Sequence, residues 1–106
     1  MSNASQTARQ ALGTVQIDDA RMRVTEWRFA PGAATGFHRH EHDYCVVPLT
    51  TGRLRIVGKD GASEAELVTG RPYARQAGVE HDVVNANDFE FVFIEVELKE
   101  PARKRD

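Results

Sequence analysis

Gly32-Ala33-Ala34-Thr35-Gly36-Phe37-His38-Arg39-His40-Glu41-His42-Asp43-Tyr44-Cys45-Val46-Val47-Pro48-Leu49-Thr50-Thr51-Gly52 is the stretch that decides the fold. It holds an H-x-H pair inside a frame of glycines. In an extended strand successive side chains alternate faces, so His38 and His40 point the same way, about 6.5–7 Å apart along the strand. That separation suits two imidazoles on one metal ion. A second spaced stretch supplies a third imidazole: Gly70, five residues, Gln76, Ala77, Gly78, two residues, His81, three residues, Asn85. If His81 arrives on a neighbouring strand, the three histidines form a facial set that leaves coordination positions open for water or substrate.

Outward from these stretches the chain reads as short strands separated by Gly and Asn/Asp turns. Val15 and Ile17, then Val24, Trp27 and Phe29, mark two strands with Asp18-Asp19-Ala20 between them. Val46 to Leu49 is an apolar run in which Pro48 signals an edge, a bulge or a strand end. Leu54 to Val57 is the next strand, and Lys59-Asp60-Gly61 is a hairpin signal. Tyr73 to Arg75 is a short strand, and residues 89–98 are the longest. In that last strand Phe89, Phe91 and Phe93 fall on one face and Val92, Ile94, Val96 and Leu98 on the other. No helical periodicity, internal repeat or low-complexity segment is present. The pattern predicts an all-β, single-domain jelly roll: a flexible arm over 1–13, the barrel over 14–98 and a polar tail over 99–106.

The two glycine-framed stretches resemble the paired motifs of the cupin superfamily, G-x5-H-x-H-x(3,4)-E-x6-G and G-x5-P-x-G-x2-H-x3-N. Gly32, His38, His40 and Gly52 match the first, and Gly70, Gly78, His81 and Asn85 match the second. The family's glutamate falls on Cys45 and its proline on Gln76. The wider run from His38 to Leu49, with Ala77 to His81, resembles the small single-domain cupins of the β-alanine degradation (BauB) type. The resemblance implies a cupin jelly-roll barrel, a double-stranded β-helix, with one divalent transition metal on His38, His40 and His81. Three neutral imidazoles suit Zn, Fe, Ni, Cu or Mn on ligand type alone, so the metal stays open. Without the glutamate a three-histidine site is expected, as in the thiol dioxygenases that share this fold, so dioxygenase-like chemistry is permitted.

Several further residues bear on such a site. Cys45 is either a fourth, thiolate ligand or a small apolar filler leading into Val46-Val47, and the filler is the favoured reading. His42 shares parity with His38 and His40, but the polar cluster and a bulge before Cys45 place it at the mouth. Tyr44, next to Cys45, is expected to face the opposite side as packing. Asn85 is expected to satisfy buried backbone groups. Trp27, Phe29, Phe37 and Phe93 are either an apolar substrate pocket or plain core. Among Arg28, Arg53, Arg55 and Arg75, Arg75 is the first choice to clamp a substrate carboxylate.

Composition sets the outer limits. With 106 residues, 41% hydrophobic and 28% charged, one globular domain is expected. A formal net charge of −2 gives no case for nucleic acid. A single cysteine excludes an intrachain disulfide. No run approaches the ~18 apolar residues of a membrane span, and no signal-type segment opens the chain, so no membrane partner and a cytoplasmic location are expected. The 89–94 strand is apolar on both faces, and one barrel interior covers only one, so a homodimer is expected.

The expected function is metal-dependent binding or turnover of a small organic acid, with the resemblance pointing to β-alanine or amine catabolism. The competing reading is a non-catalytic ligand-binding or sensing module, and a third is a structural cupin with an empty site. No nucleophile–base pair, phosphate loop or paired-carboxylate signature is present to suggest other catalysis.

Overall fold

The computed structural model describes residues 9–99, all-β among those residues. Nine strands run β1 Leu12–Asp18, β2 Met22–Phe29, β3 His38–Arg39, β4 Asp43–Pro48, β5 Gly52–Gly58, β6 Gly61–Leu67, β7 Tyr73–Arg75, β8 Glu80–Asn85 and β9 Phe91–Leu98. Among the described residues no helix is long and apolar enough to cross a membrane. The strands form a five-stranded sheet, β1-β2-β9-β4-β7, and a four-stranded sheet, β3-β8-β5-β6. The jelly roll is therefore two sheets sharing one core, and the hydrogen-bond ladder does not close into a ring.

Local chemistry explains the strand ends. Asp19 accepts from the backbone N–H of Arg21 and Met22 and so closes the β1–β2 turn. Gly61 follows Asp60 with a φ of 126°, a conformation that suits glycine in the tight β5–β6 hairpin. Pro48 ends β4, fully buried. A Cβ on Gly52 would lie 2.8 Å from the Asn87 Oδ1 atom, so the glycine there answers a close approach.

The core lies between the sheets. Phe29, Tyr44, Val46, Phe91 and Phe93 come from the five-stranded sheet, and Leu54, Leu67 and Val83 from the other. Asn85, 2% exposed, holds the closed end: its Nδ2 donates towards the carbonyls of Phe29, Ala30 and Phe89 at 3.1, 3.2 and 2.8 Å. That is the role expected of it.

The register shows which residues face the core, and β9 differs from its sequence reading. Its inward set is Phe91, Phe93, Glu95 and Glu97, whereas Phe89 precedes the strand and is 46% exposed. On the other face Val92 is already buried within one chain. Residues 9–13, assigned to the arm by sequence, are paired here: the Ala11 N–H donates to the Ala34 carbonyl and the Ala34 N–H to that of Arg9, and β1 begins at Leu12. The rest of that arm, 1–8, and the tail over 100–106 lie outside the described residues.

Candidate metal centre

Strand pairing brings the three histidines together. β3 runs antiparallel to β8 with His38 opposite His81 and Arg39 opposite Glu80. His40 lies one residue beyond β3. Its N–H donates to the Val79 carbonyl, and its own carbonyl accepts from the Gly78 N–H, both at 2.8 Å. Gly78 makes that turn with a φ of 102°, which accounts for a glycine three residues before His81. The ligating nitrogens of His38, His40 and His81 all lie within 4.8 Å of one another.

The Nε2 atoms of His38 and His40 are 2.9 Å apart, and those of His40 and His81 are 3.1 Å apart. Metal–imidazole bonds of about 2.0–2.1 Å put neighbouring ligand atoms roughly 2.8–3.4 Å apart, for bond angles between a right angle and tetrahedral. The donor set fits for a second reason. The His38 Nδ1 lies 2.8 Å from the Gly36 carbonyl, which only accepts, so Nδ1 carries the proton and Nε2 presents a lone pair. The Nδ1 of His40 faces the Glu95 carboxyl at 3.7 Å, which favours a proton on that nitrogen too. Two lone pairs then meet at 2.9 Å, and a cation between them relieves the repulsion. The buried Nδ1 of His81 has no partner among the described residues.

Burial keeps His40 and His81 neutral. Burial, reinforced by the neighbouring His38, pushes His40 down to about 4. Burial, with the charges of His38 and His40, does the same to His81, also to about 4. Both are free bases at neutral pH, the state a metal requires. The His40–Glu95 contact is therefore a polar contact and no ion pair at that pH. Glu95, 8% exposed, is raised by burial to about 7, against the opposing effect of Trp27, whose Nε1 donates to it at 3.1 Å. A cation on the triad would draw it back down.

The triad opens on a cavity of about 680 Å³ between the sheets. Of the sequence-predicted residues, Trp27, Phe93 and Arg75 line it. Phe29 does not, being fully buried in the core with its ring centroid 5.4 Å from that of Phe93. Phe37 is 56% exposed and turns away from it. His42 and Cys45 do not join the histidine group. Cys45 sits opposite Val96 and Ala74 on the outward face, in keeping with the favoured filler reading.

Tyr44 takes the inward position, stacked on His40 with centroids 4.0 Å apart, which corrects its expected placement on the opposite side. Plain alternation from His40 already puts Tyr44 on the inner face; the outward expectation allowed for a bulge before Cys45 that would reverse the parity, and the turn over residues 40–42 does not reverse it. Burial raises the Tyr44 phenol to about 12, so it stays protonated. Arg75, opposite Tyr44 in the register, has no ion pair or side-chain hydrogen bond among the described residues. The other two cavity arginines, Arg23 and Arg39, face Glu97 and Glu80. Glu95 and Glu97 escaped the sequence reading. The signal was a pair of carboxylates at alternate positions on the very face that Phe91 and Phe93 bury.

The chain is 59% identical over 90 residues to the β-alanine degradation protein BauB of Pseudomonas aeruginosa, spanning 85% of this chain and 95% of that protein. A crystal structure of a cupin domain from Bordetella pertussis matches with a TM-score of 0.86 at 52% identity, over 88% of this chain and 97% of the other. The chain belongs to the cupin family. The polyketide cyclase RemF of Streptomyces resistomycificus shares the fold alone, with a TM-score of 0.70 at 23% identity over 88% of this cupin and 68% of RemF. No protein-family model matches the chain.

Proposed function

We propose that this cupin holds one divalent transition metal on His38, His40 and His81 and uses the site to bind or turn over a small organic acid. The observation that carries the reading is the convergence of three Nε2 atoms at ligand spacing, with His40 and His81 kept neutral by burial. When bound, such an ion supplies a Lewis acid with open positions for a substrate oxygen. The chain's own residues do the rest. Gly36 fixes the tautomer of His38, Tyr44 holds the plane of His40, and Arg75, without an ion pair among the described residues, offers its guanidinium to a carboxylate. The 59% identity to BauB supports β-alanine-type or amine catabolism as the setting.

Elemental analysis of the purified protein tests the reading. About one equivalent of metal per chain is expected, and His81→Ala should lose it, since the two remaining imidazoles hold an ion poorly against water. Full metal content in His81→Ala would overturn the site. Oxygen uptake with a panel of thiols and small acids then separates a dioxygenase-like enzyme from a binding module.

The reading includes a second copy of the chain as partner. The outward face of β2, β9 and β4 carries Val24, Val47, Ile94 and Val96, each half-buried in a single chain.

A further inference from the structure

The inner face of the five-stranded sheet is graded in polarity. One cross-strand row reads Asp18, Arg23, Glu97, Tyr44, Arg75. The next reads Val15, Thr25, Glu95, Val46, Tyr73, and the third Gly13, Trp27, Phe93, Pro48. The facing sheet adds Leu54, Ile56 and Val83 to the same cavity. Polar groups thus crowd the first level, the second mixes Thr25, Glu95 and Tyr73 with two valines, and the third, with the facing sheet, offers mostly hydrocarbon.

The polar groups are not equally available. Glu97 is held by the Nε atom of Arg23 at 2.8 Å, and Glu95 accepts from the Trp27 indole at 3.1 Å. Asp18 is bound by Lys99. On the polar level both carboxylates, Asp18 and Glu97, therefore already have cationic partners, and a free ammonium group there would have to displace one; Glu66, the remaining cavity carboxylate, is exposed on the facing sheet. Among the described residues, Arg75 is the cavity arginine left without a carboxylate. The polar level is thus prepared for an anion and not for an amine.

Size leads the same way. At about 30 Å³ of liquid per water molecule, 680 Å³ corresponds to roughly twenty waters. It lies within the range of about 300–1,000 Å³ of pockets that enclose ligands of drug size. A compact amino acid such as β-alanine would leave most of it wet, against side chains that gain by being covered.

We infer that the ligand of this cavity is an amphipathic carboxylic acid, its carboxylate at the triad and Arg75 and an apolar body covering Trp27, Phe93, Ile56 and Val46. This rests on the acid-binding reading above and narrows it to a ligand class larger and less polar than β-alanine.

The chain's one tryptophan, Trp27, lines the cavity and reports occupancy by its fluorescence. The zinc-loaded protein is titrated with butyrate, hexanoate, octanoate and β-alanine. Each added methylene should tighten binding about fourfold, the gain expected from burying it, so octanoate should bind more than a hundredfold tighter than butyrate. β-Alanine should be the weakest of the four. Ile56→Phe, which fills part of the cavity, should weaken octanoate and leave butyrate unchanged, and Arg75→Gln should weaken the acids alike. Equal affinities along the series, or β-alanine as the tightest ligand, would overturn the inference. So would a length dependence that neither variant alters, because the acids would then bind elsewhere. If Ile56→Phe does not fold, the wild-type series decides. Repeating the titration after chelation separates the two readings. A length dependence that survives without zinc supports the ligand class and counts against the metal as carboxylate holder.

Discussion

Tyr44 lies flat against His40, ring centroids 4.0 Å apart and planes inclined by 21°. His40 is thus held on three sides: by Tyr44, by backbone hydrogen bonds to Val79 and Gly78, and by Glu95 facing its Nδ1. Outer partners of a ligating histidine commonly contribute 10- to 100-fold to metal affinity.

Tyr44→Ala should therefore weaken metal binding by roughly tenfold or more. It should also destabilise the fold by about 3 kcal/mol, because a ring that is only 3% exposed leaves a cavity. Tyr44→Phe keeps the stacked face and should retain metal. Competition with a chromophoric chelator, beside urea unfolding, checks both. Unchanged metal affinity in folded Tyr44→Ala would show the stack to be packing alone.

Cys45→Ser should leave metal stoichiometry intact. The side chain faces outward between Val96 and Ala74, away from the histidine group. Elemental analysis reads the result, and loss of metal on this change would bring the sulfur back as a ligand.

The triad was legible because two periodicities agree. Strand alternation aims His38 and His40 alike, and the second glycine frame delivers His81 to the neighbouring strand, directly opposite His38. Hairpins with strong turn chemistry, such as Asp60-Gly61, were legible for the same local reason. What escaped depends on whether a bulge reverses a strand and on which face a cavity lies. Tyr44 and Cys45 exchanged faces because the bulge expected before Cys45 does not reverse the alternation. Glu95 and Glu97 drew no reading, since a local pattern does not show that the face they share with Phe93 lines a cavity.

Asn85→Ala should be among the most damaging single changes away from the metal. Its amide faces three carbonyls, and its Oδ1 accepts from the Asn87 backbone N–H at 2.9 Å. Removing it leaves buried acceptors unpaired, at about 1–3 kcal/mol each where water does not replace the bond. A loss of roughly 3 kcal/mol or more in urea unfolding is expected. Metal should still bind under folding conditions, because Asn85 does not touch the triad. Wild-type stability in this variant would mean that water takes over the whole network.

The homodimer is best tested on β9, with positions that the fold redefines. A charge at Phe91 or Val92 tests nothing about association, since both are buried within one chain. The open positions are Ile94 and Val96, flanked in register by Glu26, Val24, Val47 and Cys45. The reading that a second copy covers this face rests on the apolar centre of Val24, Val47, Ile94 and Val96. Ile94→Asp should give a folded monomer that keeps its metal. Phe93→Asp should unfold the chain, since Phe93 is 5% exposed and packed against Phe29 and Phe91. Light scattering at micromolar concentration, with metal analysis and circular dichroism on the same samples, reads all three states. A monomeric wild type would remove the second copy from this face. Unfolding of Ile94→Asp would instead make that face part of the chain's own stability.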